Sequence, residues 1–118
     1  MSDVTVTVGG DIEGDASRRF IEAWHRAERG ETFRERHLAF ESWDALARVM
    51  TTKRMELLRY VRQHDVGSIR ALSKALGRDY SNVHADVQAL LAAGMLESAG
   101  GRLRADYDAI ETRIAIVG

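Results

Sequence analysis

Ser68-Ile-Arg-Ala-Leu-Ser-Lys-Ala-Leu-Gly77 is the stretch on which the fold turns. Ser68 supplies a side-chain oxygen for the unpaired amides that open a helix, and Gly77 is the residue best able to enter the left-handed region at its end. Ile69, Leu72 and Leu76 recur at helical spacing between them. Ser73 is small where an adjoining helix would have to approach closely, so the segment reads as a short helix followed at once by a sharp turn. Downstream, Asp79 or Ser81 caps another helix, with Val83, Val87, Leu90 and Leu91 inward and Gly94 at its end. Upstream, Met55, Leu58 and Val61, with Leu57 beside them, form the stripe of a helix that opens near Thr52 and fails around His64-Asp-Val-Gly67.

Outward from these three helices the pattern changes period. Met95-Leu-Glu-Ser98 and Arg102-Leu-Arg104 flank Ala99-Gly100-Gly101, which has the turn chemistry of a β-hairpin. Ile110, Thr112, Ile114 and Ile116 alternate with Glu111, Arg113 and Ala115 as one face of a final strand. On the N-terminal side, Val4-Thr-Val-Thr-Val8 alternates and stops at Gly9-Gly10, a strand or extended arm whose partner the pattern does not name. Phe20, Ile21, Trp24 and Ala27 give the stretch from Ala16 to Arg29 an amphipathic helical face, ended at Gly30. His37-Leu-Ala-Phe-Glu41 alternates as a strand, and Ser42 caps a helix with Trp43, Leu46, Ala47 and Met50 on its apolar side. With no proline in the chain, no rigid linker divides it.

The expected organisation is one compact domain of two regions. Residues 1–50 form a strand and helix extension suited to dimerisation or partner binding, and residues 51–118 hold the helical region, the hairpin and a C-terminal strand. The 118 residues, 45% hydrophobic and 30% charged, suffice for a single core without cross-links. The absence of cysteine excludes a disulfide scaffold, a thiolate nucleophile and any Cys-based zinc site. The N-terminus lacks the pattern of a secretory signal, and no run approaches the roughly 20 apolar residues of a membrane span. A cytoplasmic protein with no membrane partner is the resulting expectation.

The net charge of −1 conceals a split. From Thr52 to Arg104 nine Lys and Arg face five acids, a net of +4, and the remainder carries −5. A basic half joined to an acidic one suits a DNA-facing module attached to a dimerising or partner-binding module.

Helix, helix, short turn, helix and basic hairpin is the order of a winged helix-turn-helix. The expected fold class is therefore mainly α with a small β wing, plus an N-terminal α+β extension. The chain resembles the MarR-like winged helix-turn-helix regulators, and more closely a prokaryotic family of predicted transcriptional regulators. The carrying segments are Thr52-Lys-Arg-Met-Glu-Leu-Leu58, Ser68-Ile-Arg-Ala-Leu72, Leu76-Gly-Arg-Asp79, Val83-His-Ala-Asp-Val87 and Leu90-Leu-Ala-Ala-Gly-Met-Leu96, within Phe40 to Ile116. Ser73 stands where members often have Ala, and the first forty residues match only loosely. The resemblance implies a DNA-binding regulator, usually a homodimer, and some relatives resemble antitoxins of type II toxin-antitoxin pairs.

The residues themselves point to double-stranded DNA. With Val83, Val87, Leu90 and Leu91 inward, Arg78, Tyr80, Ser81, Asn82, His84, Ala85 and Gln88 lie at the turn or on the outer side of the third helix, with hydrogen-bonding groups suited to base edges and phosphates in a major groove. Asn82 suits an adenine edge, Arg78 a guanine or a phosphate, and Arg70 and Lys74 the flanking phosphates. Removal of Arg78 or Asn82 is expected to weaken DNA binding and leave stability nearly unchanged. Arg102 and Arg104 suit a wing in the minor groove or on the backbone. Asp86 is the misfit, acceptable only if it takes a cytosine amino group or sits off the groove beside a cation. Lys53 and Arg54 are expected to bond locally or to meet an acid. Phe20, Trp24 and Trp43 are candidates for the core or for a dimer or partner interface.

His25, His37, His64 and His84 have no metal-ligand spacing, and no phosphate loop, nucleophile elbow or paired-carboxylate cleft is visible. Neither an enzyme nor a cofactor is expected. The reading is a homodimeric repressor, with the alternative of an antitoxin that neutralises a toxin encoded nearby.

Overall fold

A computed structural model describes residues 3–30 and 35–116. The elements run β1 (Asp3–Val8), α1 (Ile12–Glu28), β2 (Glu35–Phe40), α2 (Trp43–Val49), α3 (Thr52–Gln63), α4 (Ile69–Leu76), α5 (Tyr80–Ala92), β3 (Glu97–Ala99), β4 (Arg102–Arg104) and β5 (Ala109–Ile114). The result is a mixed α/β fold with two small sheets.

The larger sheet supplies the partner that the N-terminal alternation left unnamed. β1 lies between β2 and β5 and is parallel to both, so the final strand of the chain pairs with the first. Val4, Val6 and Val8 stand in register with Arg36, Leu38 and Phe40 on one side and with Ile110, Thr112 and Ile114 on the other. Residues in register share a face. On that face the three valines are buried and pack in one cluster with Leu46, Leu57, Leu72, Val83, Val87 and Leu90. The N-terminal extension and the helical region thus share one core.

The opposite face carries Thr7, which is buried and hydrogen-bonded to His37 at 2.7 Å. A parallel sheet normally needs both faces covered. Here α1 crosses between β1 and β2, yet none of its residues is buried. The helix begins at Ile12 rather than near Ala16, because the Asp11 carboxylate accepts from the Gly14 amide at 3.0 Å and draws Gly14 and Asp15 into the first turn. A second departure concerns its apolar stripe. Phe20, Ile21 and Trp24 are 69%, 54% and 58% exposed, while Ile12, Asp15, Arg19, Ala23 and Arg26 are the half-buried side chains.

α2, α3 and α4 each open on an extended residue whose hydroxyl accepts from an amide three residues on: Ser42 from Ala45, Thr51 from Arg54 and Ser68 from Ala71. α4 ends at Gly77 with φ +64°, and the Arg78 amide donates back to the Ser73 carbonyl at 3.0 Å. Ser73 is 5% exposed and donates its hydroxyl to the Arg70 carbonyl, so the small side chain lies inside the turn as the sequence suggests. Asp79 caps α5 through the Asn82 amide. β3 and β4 form an antiparallel hairpin closed by Gly100 and Gly101, and Leu103 also bridges to Val66 between α3 and α4.

Three contacts dock the helical region on the sheet. The Tyr107 hydroxyl donates to the Met95 carbonyl at 2.7 Å, and Arg36 of β2 donates to the Gly94 carbonyl at 2.8 Å while pairing with Glu97. Gly94, at φ +80°, lies against the Leu38 side chain. No described helix is long and apolar enough to cross a membrane.

Candidate functional site

α5 sorts its residues cleanly between core and solvent. Val83, Val87 and Leu90 are fully buried, which turns Ser81, His84, Ala85 and Gln88 outward at spacings of three and four. Ala85 is a small floor among three hydrogen-bonding side chains. Asn82 is exposed beside Ser81 at the N-terminal end, where the helix also offers its first amides.

Tyr80 joins this surface to α4. It is 41% exposed, the Arg70 guanidinium carbon lies 5.0 Å from its ring centre, and the His84 ring is tilted against it at 5.8 Å. A cation over the face of a tyrosine is attracted by the ring quadrupole, so Arg70 is held toward α5 rather than swinging free. Arg70, Tyr80 and Gln88, with Ser98 and Gly101 of the hairpin, line an open cleft between the two elements. Lys74 is exposed one turn beyond Arg70 on α4.

Asp86 is the residue that the sequence made awkward, and the structure places it off this surface. Its Oδ1 accepts from Arg54 Nε at 3.0 Å and its Oδ2 from Arg78 Nη2 at 2.7 Å, with all three side chains less than one-fifth exposed. Arg54 Nη1 also donates to the Arg48 and Val49 carbonyls, which satisfies the C-terminal end of α2. Burial opposes ionisation of Asp86, but the hydrogen bonds and charges of Arg78 and Arg54 outweigh it and hold the carboxyl below its ordinary value. One carboxylate thereby ties the end of α2, the start of α3, the α4–α5 turn and α5 together.

This arrangement corrects the expectation that Arg78 can be removed at little cost to stability, since its guanidinium is engaged inside the fold and its Nη1 is buried. Arg54 meets an acid, as its place near a helix start suggested. The hairpin arginines also have acidic neighbours: Arg102 pairs with Asp65, and Arg104 with Asp106 at 3.1 Å. Both remain more than half exposed. Neither Asp65 nor Asp106 was singled out from the sequence: Asp65 pairs across 37 residues, which leaves no local spacing to read, and Asp106 lies just beyond the hairpin strand of its partner Arg104.

Phe20, Trp24 and Trp43 lie elsewhere. The first two are on the outer side of α1, where Trp24 donates to Glu28, and Trp43 is 56% exposed at the start of α2. Among the described residues no group of three or more His, Asp or Glu is placed to hold a metal ion.

In comparison with known proteins, residues 49–112, more than half of the chain, match the family model HVO_A0114. No curated protein and no solved structure matches the chain.

Proposed function

We propose, from the premise that the chain belongs to the HVO_A0114 family, that it is a cytoplasmic, non-enzymatic, sequence-specific DNA-binding regulator of winged helix-turn-helix type, acting as a homodimeric repressor. In this reading α3, α4 and α5 are the three helices of the motif, β3 and β4 its wing, and the isolated Val66 to Leu103 bridge ties the wing to the α3–α4 connection. α5 enters the major groove with Ser81, Asn82, His84 and Gln88 toward base edges. Arg70, Lys74 and Tyr80 meet the flanking phosphates, and Arg102 and Arg104 meet the backbone or minor groove beside the wing.

The observation that carries this reading is the placement of Asp86. A carboxylate on the outer face of α5 would repel a duplex, and here it is drawn inward by two arginines. The stripe left outside has hydrogen-bonding side chains and no carboxylate, beside the cations of α4. Repression is the simplest action of such a domain, since an operator that it occupies is closed to other proteins.

The test is binding of the purified chain to the DNA upstream of its own gene, against a scrambled duplex, over a salt series. Preference for the upstream DNA, with affinity falling steeply as salt rises, is the expected result. Equal, weak binding to both duplexes by folded protein would overturn the proposal. A second reading, an antitoxin-type module that binds a partner toxin, draws on the exposed apolar stripe of α1.

A further inference from the structure

We infer that α1 is a two-fold dimerisation helix, which packs antiparallel against α1 of a second copy with Phe20 on the axis. The inference deepens the homodimer reading above and rests on it for its biological sense, but its geometry comes from α1 alone. An amphipathic helix ordinarily buries its apolar stripe against its own domain. Here the half-buried side carries Ile12, Asp15, Arg19, Ala23 and Arg26, and Phe20, Ile21 and Trp24 are left exposed. Three large apolar side chains exposed together on one helix mark an interaction surface.

Its occupant is written into the order of residues. α1 runs from Ile12 to Glu28, so Phe20 is its midpoint. An axis through Phe20 sets each residue against the one equally far on the other side. Phe20 meets the partner's Phe20, and Ala16 meets the partner's Trp24. A large side chain thus faces a small one on either side of a central aromatic pair, along the ridge of residues four apart that helices use to interdigitate. The charges agree. The first turn carries Glu13 and Asp15, and the last turn carries His25 and Arg26 ahead of the final Glu28. About this axis Asp15 stands against the partner's His25, whereas parallel pairing sets Glu13 and Asp15 against their own copies. A surface complementary to its own reverse is what an isologous interface requires.

The chain has no cysteine, so one introduced thiol reports its own neighbours. Under mild oxidation Phe20→Cys should give a covalent dimer. Ala16→Cys alone should not, because eight residues of helix separate the two thiols by about 12 Å along the axis, beyond the ~7 Å that a disulfide spans between Cα atoms. A mixture of Ala16→Cys and Trp24→Cys should give a covalent heterodimer. In sedimentation, Phe20→Asp should weaken dimerisation by about thirtyfold or more, with the circular dichroism of the folded chain retained. Self-cross-linking of Ala16→Cys would overturn the antiparallel geometry, and a dimer that none of these thiols cross-links would move the interface to another face. A chain that is monomeric until the product of a neighbouring gene is added would overturn the second copy in favour of a foreign partner. Dimers that cross-link as expected but do not discriminate between DNA sequences would overturn the proposed function and leave this interface standing.

Discussion

Asp86 accepts hydrogen bonds from Arg54 and Arg78 at once, at 3.0 and 2.7 Å, and so joins residues 32 and 8 positions away in one partly buried cluster. Asp86→Ala removes the shared acceptor and leaves two guanidinium groups facing each other. The expected loss is about 2–4 kcal/mol of unfolding free energy, measured by denaturant titration. The sign of the pH dependence follows from the lowered carboxyl. Its contribution is complete above the ordinary aspartate value of about 3.9 and is lost as pH falls through the lower folded value. Asp86→Asn should flatten that acid limb of the stability curve, and an unchanged limb would mean that other carboxylates set it.

Asn82→Ala is expected to leave thermal unfolding within ~0.5 kcal/mol of the parent, because the cap it joins uses only its backbone amide. It should weaken binding to the preferred duplex by about 1–3 kcal/mol and relax the preference at one base pair. Lys74→Ala should act differently, weakening binding to all duplexes alike and reducing the salt slope by about 1. Binding titrations on matched and mismatched duplexes at several salt concentrations separate the two.

Leu90→Ala opens a cavity at a position with no exposure, in the core cluster that also holds Leu57 and the valines of β1. The expected cost is about 2–5 kcal/mol in chemical denaturation. A near-neutral value would mean that α5 does not present Val83, Val87 and Leu90 to the core.

Gly77 and Gly94 both hold left-handed backbone, but their surroundings differ. A Cβ at Gly77 meets nothing within 4 Å, and one at Gly94 lies 2.9 Å from Leu38 Cδ2. Gly77→Ala should cost the backbone strain alone, about 1–2 kcal/mol, and Gly94→Ala a further ~1 kcal/mol from displacing the Leu38 side chain. Paired thermal melts measure the difference.

Tyr107 is held neutral by burial, which pushes its hydroxyl up to about 12 against the opposing charge of Arg36. The unfolded chain ionises it near 10, so its contribution is complete below that value and is lost as pH rises toward 12. Tyr107→Phe should cost about 1 kcal/mol at neutral pH through the unmet Met95 carbonyl, and should remove one late-ionising group from the alkaline absorbance titration.

The helical region was legible in the sequence because its signals are local. Ser68, Gly77 and the stripe of Leu72 and Leu76 act within one or two helical turns, and α4 starts and stops where they indicate. The hairpin was legible from Gly100 and Gly101 for the same reason. The N-terminal strand was visible as a strand, but its pairing with β5 was not. Parallel pairing leaves no turn between the partners, and residues 3 and 109 share no local signal. The outward stripe of α5 was legible from the core spacing of Val83, Val87 and Leu90. The true position of Arg78 was not, since a residue at a turn reads as exposed until the cluster that engages it is known.

By itself, then, the sequence determined which segments are helix, strand and turn, and which side of each is apolar, because these follow from caps, glycines and periodicity acting over a few residues. Only the tertiary structure decided what each apolar side meets. The valines of β1 meet the helical core, and the aromatic stripe of α1 faces solvent. It likewise decided which charges turn inward, drawing Asp86 to Arg54 and Arg78. The physical reason is common to both: burial and charge pairing depend on distances between elements far apart in the chain, which no local spacing encodes.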